Sequence, residues 1–179
     1  AEELMVSPDC RNLAEYLEKF DIPLLAMQTR EGLYAAARDF IHSLEGDGVR
    51  YVEVRFAPMQ SVHPGLSCGQ VLESVLEGLL QARRETGIDS RVIVCAMRHH
   101  PREKNLEMMR TARNYLGQGV CALDLAGDEA AYPLKEFRQL FVEAKKLEFP
   151  FTIHAGECQS LENVREAVEL GAARIGHGI

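Results

Sequence analysis

The sequence predicts an α/β fold built on a parallel sheet: a partial (β/α)8 TIM-type barrel of about five strands, preceded by a helical segment. Three observations predict it. Short apolar or alternating runs take turns with stretches of helical periodicity from residue 49 onward. The GxGxxG that an open doubly wound sheet would want after its first strand is missing. Asp124, His154 and His177 fall near the C-terminal ends of successive expected strands, where a barrel gathers its chemistry.

In chain order, helical spacing is expected over Leu13 to Phe20, and over Glu31 to Leu44 with Leu33, Ala37, Phe40, Ile41 and Leu44. Val49 to Ala57 alternates as a strand, with Val52, Val54 and Phe56 on one face and Glu53 and Arg55 on the other. In a barrel those two charges point inward, an unusual place unless they are paired. After the Pro58 to Gly69 loop, Gln70 to Thr86 carries Val71, Leu72, Val75, Leu76, Leu79 and Leu80 at helical spacing, and Gly87 is placed to stop it. Arg91 to Met97 is almost wholly apolar, as a strand covered on both faces should be. A helix opens at Pro101, carries Leu106, Met109, Ala112 and Leu116, and ends near Gly117.

The cycle then repeats. Gly119 to Leu125 is a strand, and Leu134 to Leu147 a helix with Leu134, Phe137, Phe141 and Ala144 on one stripe. Phe151 to His154 is a strand, Ser160 to Leu170 a helix capped by Ser160, and Ala173 to His177 a fifth strand. No linker or composition shift separates a second domain, so residues 1–179 read as one domain with βα repeats over 49–179.

Composition narrows the function. Of 179 residues, 46% are hydrophobic and 26% charged, as in a globular protein, and the net charge of −7 disfavours sequence-independent binding to nucleic acid or anionic membranes. No apolar run approaches the ~20 residues that span a bilayer. Glu2 and Glu3 stand where a secretory leader would be basic. Five scattered cysteines without a CxxC pair read as reduced thiols, and the localisation expected is cytoplasmic. The chain starts at Ala1 and stops inside Gly176-His177-Gly178-Ile179, so it reads as a piece of a longer one. No obligate protein partner is inferred.

Three strand ends carry chemistry-bearing groups. Thr152-Ile153-His154-Ala155-Gly156-Glu157 puts an imidazole at a strand end and a carboxylate three residues on. Alternation sends Thr152 and His154 to one face, Gly156 lets the chain turn closely, and Glu157 is left where partial burial suits it to acid/base work. A core histidine followed by a helix-capping glutamate is the plainer alternative. Gly176-His177-Gly178 places a second histidine at the next strand end, and Asp124-Leu125-Ala126-Gly127-Asp128-Glu129 ends the preceding strand in an acidic, glycine-containing turn.

At these residues the sequence resembles the adenosine deaminases of the metal-dependent amidohydrolase superfamily. The resemblance runs through YVEVRFAP (Tyr51 to Pro58), CAMRH (Cys95 to His99), DLAGDE (Asp124 to Glu129), HAGE (His154 to Glu157) and GHG (Gly176 to Gly178). It implies a (β/α)8 barrel that uses a zinc-activated water to convert adenosine or 2′-deoxyadenosine to its inosine counterpart and ammonia, a step of purine salvage with a small-molecule nucleoside as partner. It implies His154 as a Zn2+ ligand, Glu157 as the acid that protonates the purine ring nitrogen, and His177 as the group that orients and helps deprotonate the water. Gly127 would bind the purine through its backbone N–H. Residues 1–48 resemble an apolar lid, in which Leu13, Tyr16, Leu17 and Phe20 would flank the substrate, with Met97 as pocket wall. The i, i+3, i+4, i+7 spacing of the first four suits a core stripe equally, and Met97 suits a core methionine.

The chain departs from the family pattern at the metal. An HxH from the first barrel strand and an aspartate from the last are both missing, because His99 and His100 are adjacent and would face opposite ways on a strand, and no aspartate follows Asp128. The expected remainder is roughly the second to sixth strands of eight. One ligand does not hold catalytic zinc, which takes at least three from protein, so the chain as written is expected to be inactive. Two other functions stay open: the same chemistry on adenine or an N6-modified adenine nucleotide, and a non-catalytic nucleoside-binding barrel.

Overall fold

Among the described residues, five strands follow one another in chain order, all parallel. The computed structural model describes residues 5–6 and 8–179, so Glu2 and Glu3 lie outside it. The strands are β1 (Tyr51–Phe56), β2 (Asp89–Met97), β3 (Val120–Ala126), β4 (Thr152–Ala155) and β5 (Arg174–His177). β1 pairs with β2 and β2 with β3, while β4 pairs with β5. A parallel bridge from Leu123 to Phe151, with the Leu123 N–H donating to the Pro150 carbonyl at 2.8 Å, links β3 to β4. An open doubly wound sheet would reverse its strand order, and this one does not.

The sheet curls. Glu53 on β1 and Arg174 on β5 meet at 2.5 Å, although four strand spacings of ~4.8 Å would hold them ~19 Å apart on a flat sheet. The inward charges are thus paired as the sequence requires. Arg55 reaches Asp124 on β3 at 3.1 Å and Thr152 on β4 at 3.4 Å.

The helices from residue 30 onward pack their apolar stripes on the outer face. α4 (Cys68–Thr86) starts with a reciprocal cap between Ser67 and Gln70 and ends at Gly87 in the left-handed region. Its Val71, Leu72, Val75 and Leu79 join Val92, Val94 and Ala96 of β2 and Met108, Met109 and Ala112 of α5 (Arg102–Arg113) in one core. Burying each larger side chain contributes about 1.5–3 kcal/mol. α3 (Arg30–His42) adds Leu33, Ala37 and Ile41. α6 (Arg138–Lys146) contributes Leu140, Phe141 and Ala144, and α7 (Leu161–Glu169) is capped by the Ser160 hydroxyl, which accepts from the Asn163 N–H.

Several expectations are corrected. Leu80 and Phe40 are exposed, because each lies on the rim of its stripe and not at its centre. The helix expected to reach Gly117 stops at Arg113, and the one expected from Leu134 opens as a 3-10 turn, Leu134–Phe137. The Leu13 to Phe20 run divides into α1 (Leu13–Leu17) and a 3-10 turn (Glu18–Phe20), followed by α2 (Asp21–Ala26). None of these three buries a residue, so the core-stripe reading of Leu13, Tyr16, Leu17 and Phe20 fails. His99 and His100 are not on a strand at all. They sit in the turn after β2, rings edge to face at 4.6 Å, and burial, with Lys104 next, pushes His100 down to about 4.

Candidate active site

The site grows from a buried carboxylate on β3. Asp124 has 0% exposure in an otherwise apolar strand, and a carboxylate there must be partnered to remain charged. One oxygen accepts the backbone N–H of Leu125 at 2.8 Å and of His154 at 3.1 Å. The other faces Arg55 Nε at 3.1 Å and His154 Nδ1 at 2.9 Å. Asp124 therefore fixes the backbone of His154 and stands beside Nδ1 of its ring, which leaves Nε2 as the ring nitrogen for a ligand.

Past His154 the chain turns back on itself. Gly156 takes φ +89, and a Cβ there would stand 2.9 Å from Val164 Cγ2 and 2.6 Å from the Ile179 carbonyl oxygen, so glycine is required on both counts. The turn leaves Glu157 Oε1 3.6 Å from His177 Nε2. The His177 ring centroid lies 5.4 Å from that of His154. His177 itself has φ +66, a left-handed conformation rare outside glycine, held between Gly176 and Gly178 at the end of β5.

On the neighbouring strand end, Gly127 takes φ +108, and a Cβ there would lie 3.6 Å from Met97 Cε. Met97 is buried on the inner face with Ile93 and Cys95, opposite to the core residues Val92, Val94 and Ala96. Its backbone N–H and carbonyl are both held by the buried Asn105 amide, at 3.1 and 2.9 Å. His154, Glu157 and His177 are thus brought together, with Met97 beside Gly127. Tyr16 and Phe20 are exposed and pack edge to face at 5.6 Å, while Leu13 and Leu17 are half-buried. Among the described residues no hydrogen bond or ring contact joins these four to the histidines.

Sequence reasoning did not assign Arg98 or Glu129. Both are 2% exposed. Arg98 donates to the carbonyls of Tyr132 at 2.6 Å and His154 at 2.8 Å. Burial pushes its guanidinium below the ordinary arginine value, opposed first by the charge of Glu129. Glu129 accepts the N–H groups of Gly156 at 2.8 Å and Cys158 at 3.0 Å. Both lie in stretches that the resemblance runs through, CAMRH and DLAGDE; beyond that, a charge in an apolar or glycine-rich run says that a partner is needed but not which.

Among the described residues, no group of three or more His, Cys, Asp or Glu side chains is arranged to hold a metal ion. His154 with its orienting carboxylate has the form of a single ligand and its support. The donor set fits one ligand and not a centre.

Curled parallel strands with a histidine–carboxylate rim at their C-terminal ends define the class: an α/β protein of the TIM-barrel type. Solved structures agree on the fold. The chain is similar to an adenine deaminase from Arthrobacter aurescens (TM-score 0.85, 21% identity, over 99% of this chain and 53% of that one). It is also similar to an amidohydrolase from Burkholderia ambifaria with bound Zn (TM-score 0.84, 21% identity, 98% and 47%). The family model described as adenosine deaminase matches residues 1–179, and the chain belongs to that family. Similar relatives are the adenosine deaminase of Enterococcus faecalis, 42% identical over 179 residues (99% of this chain, 53% of that one), and that of Clostridium acetobutylicum, 39% over 177 residues (98% and 53%). The chain spans about half the length of these relatives. No helix among the described residues is long and apolar enough to cross a membrane.

Proposed function

We propose that the protein to which this chain belongs hydrolytically deaminates adenosine or 2′-deoxyadenosine, giving the inosine counterpart and ammonia. The observation that carries this reading is the rim itself: Glu157 lies 3.6 Å from His177, whose ring lies 5.4 Å from that of His154. Adding water to the amino-bearing carbon breaks aromaticity and moves electron density onto the adjacent ring nitrogen. Glu157 is the acid that meets that nitrogen, and His177 aligns the water and takes up its proton. The Gly127 N–H and Met97 line the purine, and Leu13, Tyr16, Leu17 and Phe20 form its apolar cover.

Zinc enters this proposal as a cofactor of the whole protein, with His154 as the one ligand supplied here. This chain on its own is expected to be inactive, because the remaining ligands are not among its residues.

Support for adenosine over other purines comes from the two relatives at 42% and 39% identity, both named adenosine deaminase. The test is conversion of adenosine to inosine and ammonia by the whole protein, with adenine, which would release ammonia, and N6-methyl-AMP, which would release methylamine, as controls, each followed by the change in purine absorbance. Faster turnover of either control would replace the proposed substrate, and nucleoside binding without any turnover would point to a non-catalytic barrel. Glu157→Gln is expected to keep nucleoside binding and lower kcat by about 10²- to 10⁴-fold. His154→Ala is expected to lower metal content measured by elemental analysis.

A further inference from the structure

A short turn with a positive-φ glycine has backbone N–H groups that no helix or strand satisfies. Between His154 and Cys158, three N–H groups and one carbonyl meet buried side chains from other elements. Asp124 takes the His154 N–H, Arg98 serves the His154 carbonyl, and one carboxylate, Glu129, accepts the N–H groups of both Gly156 and Cys158. These two amides belong to the residues immediately before and after Glu157.

Two N–H groups two residues apart that converge on one anion form a concave nest. The residue between them must send its side chain away from the anion. In this turn it sends it to the rim, where Glu157 Oε1 stands 3.6 Å from His177 Nε2. Glu129 is 2% exposed and has both oxygens occupied, so it is not free to act on a substrate.

We propose that Glu129 is a positioning residue: by gripping the amides on either side of Glu157, it aims the Glu157 carboxylate across the rim at His177. The inference deepens the function proposed above and rests on Glu157 being the acid. Glu129→Gln keeps the shape but turns one of two acceptors into a donor, so one amide loses its partner.

The test uses the whole protein and two readouts. In Glu129→Gln, amide hydrogen exchange measured by mass spectrometry is expected to speed up over 154–159 and not over the outer helices. kcat is expected to fall about 10- to 100-fold, as for a small misplacement of a reacting group, with KM little changed and the acid limb of the kcat pH profile moved. Glu129→Asp, which retains the charge and reaches at least one amide, is expected to restore part of kcat. Wild-type kcat in Glu129→Gln, or a loss explained entirely by a smaller folded fraction, overturns the proposal. If Glu129→Gln does not fold, Glu129→Asp is judged by the same two readouts. If the wild-type protein deaminates none of the purines, the functional reading fails by itself, while local exchange in the variant still decides whether Glu129 holds the turn.

Discussion

His154 Nδ1 lies 2.9 Å from Asp124 Oδ2, an oxygen that also faces Arg55 at 3.1 Å. One carboxylate on β3 thus ties β1 and β4 together across the inside of the curled sheet, with one of its oxygens beside the imidazole. Asp124→Asn keeps the volume and removes the charge, leaving Arg55 without its anion. Breaking a fully buried pair costs about 3–5 kcal/mol. Because the Arg55 side chain is 39% exposed, we expect about 2 kcal/mol, read from urea unfolding of the whole protein. No change in the urea midpoint would mean that Arg55 is held by solvent and not by Asp124.

Arg98 donates to two backbone carbonyls and answers the charge of Glu129. Arg98→Met fills similar space but strands both carbonyls and removes a positive charge near Glu129. A loss of about 1–3 kcal/mol for each stranded carbonyl is expected, with only part of it recovered by Arg98→Lys, whose ammonium lacks the planar fork. Equal stability of the Lys and Arg proteins would show that the charge alone matters.

Gly78 lies where α3 crosses α4, and a Cβ there would stand 2.4 Å from the Tyr34 carbonyl oxygen and 3.2 Å from Ala37 Cβ. Alanine is the better helix former by about 1 kcal/mol. Overpacking against backbone costs about 1–3 kcal/mol, so the crowding wins. Gly78→Ala is expected to lower Tm; a rise would show that the two helices can separate without cost.

At the far ends of the same two helices, Glu85 lies 2.7 Å from His42 and 2.8 Å from Arg38, and His42 also lies 2.9 Å from Glu45. Hydrogen bonds from Gln81, His42 and Arg38 hold Glu85 down at about 2, and those to Glu85 and Glu45 raise His42. Glu85 contributes stability above its ordinary value of 4.5, lost as pH falls toward about 2. His42 contributes below its ordinary 6.5, lost as pH rises through its raised folded value. The cluster is therefore strongest between pH 4.5 and 6.5. The gap in urea midpoint between wild type and His42→Ala should be widest there and shrink on either side and in high salt. A gap that is flat with pH would rule out the charged pair.

Much of the architecture was legible because it rests on local pattern. The strands start within about two residues of where alternation and apolar runs put them, and Gly87 and Ser160 end and begin their helices as their chemistry requires. Glu53 and Arg55 announced by their alternation that the inner face needed counter-charges. Their partners were not legible: Arg174 stands 121 residues from Glu53, and nothing local encodes that separation. The acidic turn after β3 was visible, but Glu129 reads like any loop glutamate until the fold lays the HAGE turn against it.

What the sequence determined by itself was the period, the faces and the kinds of groups at the strand ends, since these follow from backbone geometry and side-chain spacing. Which charge meets which was decided only by the curl of the sheet. Coulomb attraction and hydrogen bonding act over a few ångströms, and only the closed-up strands bring Asp124, His154, Glu157 and His177 within that range.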